Sequence, residues 1–114
     1  MSCKCEVKLY VGNSNVLQLG TTNSPLTNTV TDTVDTGATV TGTITLAADG
    51  TEITGESWPV TLSHNSGGIY QYTLADDIAL TEHYWYDVEI SATGSGGEKG
   101  KWNARVKAEA RKCE

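Results

Sequence analysis

Apolar and polar positions alternate with a period of two along most of the chain, the pattern of half-buried β-strands. Cys5, Val7, Leu9 and Val11 share one face of a first strand, with Glu6, Lys8 and Tyr10 on the other. A turn at Gly12-Asn13-Ser14-Asn15 precedes a short apolar piece, Val16 to Leu19. Residues 20–29 are rich in Thr, Asn and Ser and contain Pro25, so they read as a loop, and 30–34 as a short strand. In GATVTGTITLAADG, Ala38, Val40, Ile44 and Leu46 take one face and Thr39, Thr41, Thr43 and Thr45 the other. β-Branched threonine on the wet face suits a pleated surface better than a helix.

Asp49-Gly50 is a two-residue hairpin signal that sets Leu46 opposite Ile53 on the core side. The next inward set, Trp58, Val60 and Leu62, is out of phase with Ile53, and Gly55 is the natural place for a bulge that shifts it. HNSGG turns the chain into a strand with Tyr70, Tyr72 and Leu74 inward. Asp76-Asp77 starts a corner with Ile78 and Leu80 beneath it. Tyr84, Tyr86, Val88, Ile90 and Ala92 then alternate inward, and Trp85, Asp87, Glu89 and Ser91 outward. After a glycine-rich turn, Trp102, Ala104, Val106 and Ala108 go inward, and Lys101, Arg105, Lys107 and Glu109 outward. A turn centred near Gly96-Gly97 places Glu89 across from Arg105 and Asp87 across from Lys107, exposed pairs contributing roughly 0.2–1 kcal/mol each.

About seven short strands, no convincing helix and regular turn signals predict an all-β fold, an immunoglobulin-like two-sheet antiparallel β-sandwich rather than a closed barrel. Leu80-Thr81-Glu82-His83-Tyr84 reads as the entry to a tyrosine corner, in which a tyrosine near the start of a late strand bonds back to the preceding loop. At 114 residues the chain is expected to be one domain, with residues 1–5 and 110–114 as terminal arms.

Charge sharpens this picture. The net charge is -6, yet all eight basic residues lie near the ends: Lys4, Lys8, Lys99, Lys101, Arg105, Lys107, Arg111 and Lys112. An acidic body with a basic final segment repels phosphate, which argues against nucleic-acid binding. No apolar run approaches the ~20 residues that span a bilayer. Residues 1–20 lack a basic start followed by an apolar stretch, so no secretory signal is expected.

Candidate chemistry is sparse. His64, in a predicted turn, and His83, at a strand entry, stand in no recognisable nucleophile frame, and exposed turn histidine is the preferred reading. Cys3, Cys5 and Cys113 are read as reduced terminal thiols. A zinc site is disfavoured because Cys-x-Cys is tighter than the usual hook, and a Cys5–Cys113 or Cys3–Cys113 disulfide requires antiparallel first and last strands or wandering tails. Asp32, Asp35, Asp49, Asp76 and Asp77 are too sparse for a calcium loop and read as turn-favouring or solubilising. Neither a cofactor nor an enzymatic activity is expected. Trp85 remains open between a sugar-stacking or contact platform and a ring packed on a basic stem such as Arg111.

Three runs, LYVGNSNVLQL, GATVTGTITLAADGTEITGESWPVTL and GGIYQYTLADDIALTEHYWYDVEI, resemble small proteins encoded in the structural-gene modules of tailed phages and prophages. The pattern is similar to that of the immunoglobulin-like N-terminal domain of phage upper baseplate proteins. It covers Leu9 to about Val106 and carries no catalytic residues. The resemblance implies a non-enzymatic virion component, made in the host cytoplasm, binding capsid, head-tail or tail subunits in many copies, with capsid decoration or a head-tail accessory role favoured. The alternative is a tail, baseplate or surface module that binds carbohydrate or a receptor through Trp85. Lys99, Lys101, Arg111 and Lys112, unpaired in the expected register, are the candidate docking charges.

Overall fold

The computed structural model describes residues 5–28 and 33–110. Its described elements are all strands: β1 (Cys5–Glu6), β2 (Val16–Leu19), β3 (Thr27–Asn28), β4 (Thr33–Val34), β5 (Thr39–Leu46), β6 (Val60–Ser66), β7 (Ile69–Thr73), β8 (Trp85–Thr93) and β9 (Lys99–Lys107). One antiparallel sheet takes the order β1-β2-β7-β6-β5-β8-β9, and β3-β4 form a small second sheet. Against about seven expected, six strands have four or more residues and three, β1, β3 and β4, are two-residue pieces, β3 falling in the stretch expected as a loop. Residues 5–11, expected as one strand, pair with β2 only at Cys5 and Glu6. Farther on, Tyr10 bridges Glu109 in parallel, with the Val11 amide donating to the Glu109 carbonyl at 2.9 Å and the Glu109 amide to the Leu9 carbonyl at 3.0 Å.

The large sheet curls because β6 changes neighbours along its length. Val60, Thr61 and Leu62 pair with β5, whereas Ser63, His64 and Ser66 pair with β7 across a register shift. The two limbs then meet over a shared core. A Cβ at Gly42 of β5 would stand 3.0 Å from Leu17 Cδ1 of β2 and 3.4 Å from Leu62 Cδ1, so the missing side chain lets β2 approach the opposite limb. Leu17, Leu19, Val40, Ile44, Tyr70, Tyr86, Val88 and Ile90 are fully buried between the limbs. Trp58, Tyr72, Trp102 and Val106, all expected inside, are half-buried at its margins. The Trp58 indole donates to the Ile53 carbonyl at 2.7 Å.

Both long hairpins differ in register from the sequence expectation by two residues. Thr45 bridges Glu52, and the Ile53 amide donates to the Ile44 carbonyl, so Ile53 sits beside Ile44 rather than Leu46. The loop there spans residues 47–50, with the Asp49 carboxylate accepting the Thr51 amide at 2.9 Å. In the last hairpin Asp87 faces Arg105 and Glu89 faces Asn103. Gly55 is no bulge. It adopts φ 110° in a turn, where a Cβ would come within 2.7 Å of Ile78 Cα, so glycine is required both for conformation and for space. His64 also differs from expectation: β6 continues through it to Ser66, its ring lies 5.1 Å from that of Tyr70, and its Nε2 accepts the Gly68 amide at 3.2 Å.

The tyrosine device is present with a different tyrosine. The Tyr86 hydroxyl accepts the Thr81 amide at 2.8 Å, fastening the 75–84 corner to β8. Tyr84, expected inward, is instead 53% exposed. Period two cannot continue back to it because β8 starts at Trp85 and His83 sits at φ 72°, a left-handed turn that resets the phase.

Two buried polar side chains complete the frame. Asn15 mimics a strand partner for Tyr10, accepting its amide at 2.9 Å and donating to its carbonyl at 3.1 Å. Asp35, 3% exposed, accepts the Gly37 amide at 3.0 Å and the Ser95 amide at 3.1 Å, which joins the turn before β5 to the β8–β9 loop. The buried Tyr70 hydroxyl donates to the Asp35 carbonyl at 2.7 Å and accepts the Ala38 amide at 3.1 Å. Burial first, then the Asp35 charge, raises the Tyr70 pKa, so the phenol stays protonated as the donor that this bond needs.

Candidate functional site

A groove of about 570 Å³ opens where β5 ends and β8 begins, lined by Leu46, Ala47, Ala48, His83, Tyr84, Trp85 and Arg105. Main-chain bonds hold its walls. The Ala47 amide donates to the Trp85 carbonyl at 3.1 Å, the His83 amide to the Ala108 carbonyl at 2.8 Å, and the Ala108 amide to the Tyr84 carbonyl at 2.9 Å. Because the phase resets at His83, Tyr84 and Trp85 are adjacent and both about half exposed. Only the Trp85 half of that pair was anticipated. The irregular His83 backbone, which exposes Tyr84, has no signature in period-two patterning.

A polar wall continues from the groove across the outer face of the sheet, through Thr43, Thr45, Asp87, Glu89, Asn103 and Arg105. Arg105 grips Asp87 with two parallel contacts, Nε to Oδ1 at 2.8 Å and Nη2 to Oδ2 at 3.3 Å. Lys101 Nζ lies 3.5 Å from Glu89 Oε1. Lys101 is therefore paired, contrary to the expectation that it would stand free, and the two-residue register difference is the reason. Lys99 stands at the far end of β9 opposite Thr93. The cross-strand neighbour of Trp85 is Lys107. Arg111 and Lys112, with Lys4, Cys3 and Cys113, lie outside the described residues.

Comparison with protein-family models, with curated proteins and with solved structures found no match.

The groove offers apolar ring faces beside a fixed ion pair, an arrangement suited to binding. Among the described residues no group of three or more His, Cys, Asp or Glu side chains gathers as a metal site. Among the described residues His83 has only Glu82 as its ionic neighbour, 3.5 Å away and likewise exposed. Among the described residues no helix is long and apolar enough to cross a membrane.

The Arg105 pair has a testable acid sensitivity. Its hydrogen bond, then its charge, holds the Asp87 carboxyl below the ordinary carboxylate range. The pairing contributes fully above the unfolded carboxylate pKa and is lost as pH falls through the depressed folded value. The melting temperatures of wild type and Asp87→Asn are thus expected to differ at neutral pH and converge in acid. A gap that widens on acidification would contradict the assignment. Because both side chains are exposed, high salt should narrow the neutral-pH gap as well.

Proposed function

We propose that this chain is a non-enzymatic structural or accessory module of a tailed-phage particle, docking on capsid, head-tail or tail subunits, with capsid decoration or a head-tail accessory role favoured. On this reading the curled sheet is an immunoglobulin-like sandwich whose limbs β1-β2-β7 and β5-β8-β9 are its two layers. The observation that supports docking is the sheet's last strand: β9 is nine residues long, terminal in the sheet order and basic along its outer face. The patterned resemblance of residues 9–106 to phage structural-module proteins supports the particle as the setting. An acidic end of the molecule, formed by loops bearing Asp49, Glu52, Glu56, Asp76, Asp77 and Glu82, would suit contact with the basic strand of a neighbouring copy in a repeated array. The test is a mass-spectrometric inventory of purified particles, followed by localisation within them. Absence of the chain from particles that carry all other structural products would end this reading.

The Trp85–Tyr84 groove favours a second reading, in which a tail or surface module binds carbohydrate or a receptor. Sugar rings stack their C–H faces on exposed aromatics and bond through hydroxyls, and Arg105, Asp87 and Thr45 stand beside those rings. A glycan panel screened with wild type and Trp85→Ala separates the readings. Trp85-dependent glycan binding by the isolated chain supports the second.

A further inference from the structure

Among the described residues the outer edge of β9 has no strand beside it, and its chemistry is specified. Glu109 sets its phase, since its amide and carbonyl bond sideways to Leu9 and Val11, away from β8. Backbone direction alternates along a strand with the same period as side-chain direction. Steps of two from Glu109 therefore turn the N–H and C=O groups of Lys107, Arg105, Asn103, Lys101 and Lys99 to that outer side. Among the described residues no strand pairs with them, because β9 ends the sheet. The opposite face of the same strand carries Trp102, Ala104 and Val106, only half-buried where a further strand would cover them. Among the described residues β9 thus presents three aligned features: a backbone ladder with no strand beside it, a basic row above it and a half-buried apolar row below.

We propose that this edge is a docking site for an extended protein segment in which acidic and apolar residues alternate, added as a further strand beside β9. This deepens the module reading above by naming the chemistry of its partner. The chain itself displays the required pattern on the other side of β9: in β8, Asp87 and Glu89 meet the basic row while Tyr86, Val88 and Ile90 join the core. A second β9 is the wrong occupant. Antiparallel pairing of two copies about Asn103 would set Lys101 against Arg105 and Lys99 against Lys107 of the second copy, and like charges directly opposite are destabilising. The basic row therefore blocks pairing of one β9 with another and admits an acidic strand, with main-chain bonds supplying affinity and the two rows supplying selection.

The probe is a synthetic peptide with the sequence of residues 85–93, added to the full chain and read by amide hydrogen exchange and chemical-shift change. At up to about 1 mM peptide, within the weak range of single-strand additions, it should slow exchange at Lys101, Asn103 and Arg105 by about tenfold or more. A peptide with lysine in place of its two acidic residues should not. Asn103→Pro removes an N–H that the β8 ladder does not use and should abolish protection, as an edge strand tolerates proline. Should that variant fail to fold, Lys99→Glu with Lys107→Glu, two side chains without an ion pair among the described residues, should weaken binding with little change in melting temperature. The proposal is overturned if those amides gain no protection, if the lysine-bearing peptide protects them equally, or if protection falls on another edge. The particle inventory fails independently. Peptide binding by a chain missing from particles would end the phage reading alone, and a particle-borne chain that ignores the peptide would end this one alone.

Discussion

Replacing Tyr86 with alanine is expected to cost roughly 3–5 kcal/mol, the usual loss for truncating a large buried aromatic. The ring is 2% exposed within the core, and its hydroxyl is the acceptor that fastens the Thr81 amide. Truncation therefore opens a cavity and frees the 75–84 corner together. Tyr86→Phe separates the two contributions. It keeps the packing and removes the acceptor of a part-buried hydrogen bond, which costs about 0.5–1.5 kcal/mol. Trp85→Ala, one residue earlier but half exposed at the groove, should cost less than about 1 kcal/mol. Urea unfolding of the three variants measures all of this. A larger loss for Trp85→Ala than for Tyr86→Ala would mean that the faces of β8 are reversed.

The faces of the long strands were legible because burial follows the phase of alternation. Val40 and Ile44, Val60 and Leu62, and Tyr86, Val88, Ile90 and Ala92 all lie inside as their period places them. Register was much less legible, for a physical reason. A slip of one residue would expose every core side chain, but a slip of two preserves both faces and changes only the partners. Both hairpins differ from expectation by that amount. The first loop holds four residues, 47–50, rather than the two that Asp49-Gly50 suggests, with Asp49 capping the Thr51 amide, and the last turns one residue earlier than expected, where the Gly94 amide donates to the Glu98 carbonyl. The charge compensation expected across β8 and β9 exists in kind, with Arg105 moved from Glu89 to Asp87.

The site was legible only in part. Trp85 stands out as an aromatic at an outward position, yet its companion Tyr84 is exposed by one left-handed residue, His83, and alternation carries no sign of it. The curl of the sheet was equally hidden. It depends on β6 leaving β5 for β7 midway, which hydrophobic pattern does not encode, although the small side chain at Gly42 is a trace of the close approach. The open edge of β9 is a consequence of strand order. Its basic row could be read from the chain, but the absence of a neighbour could not.

Asp35 is where composition misleads most, since it reads as a solubilising turn residue and is in fact enclosed. Asp35→Ala is expected to cost about 2–5 kcal/mol, because the amides of Gly37 and Ser95 each lose a part-buried hydrogen bond to the enclosed carboxylate, worth about 1.5–3 kcal/mol apiece. The Tyr70 hydroxyl bonds the Asp35 main-chain carbonyl, which the substitution keeps, so the loss reports the carboxylate itself. Ser95→Ala removes only the long 3.5 Å contact from Oγ and should stay within about 0.5 kcal/mol of wild type. Amide exchange supplies the local readout. Gly37 and Ser95 should accelerate beyond the global change, since the turn before β5 and the β8–β9 loop lose their shared tie, while Thr81 at the other end of β8 should follow the global change alone. If Asp35→Ala unfolds within about 0.5 kcal/mol of wild type, solvent must reach both amides once the carboxylate is gone, and the carboxylate is then no more than a local turn cap of the kind first read from the chain.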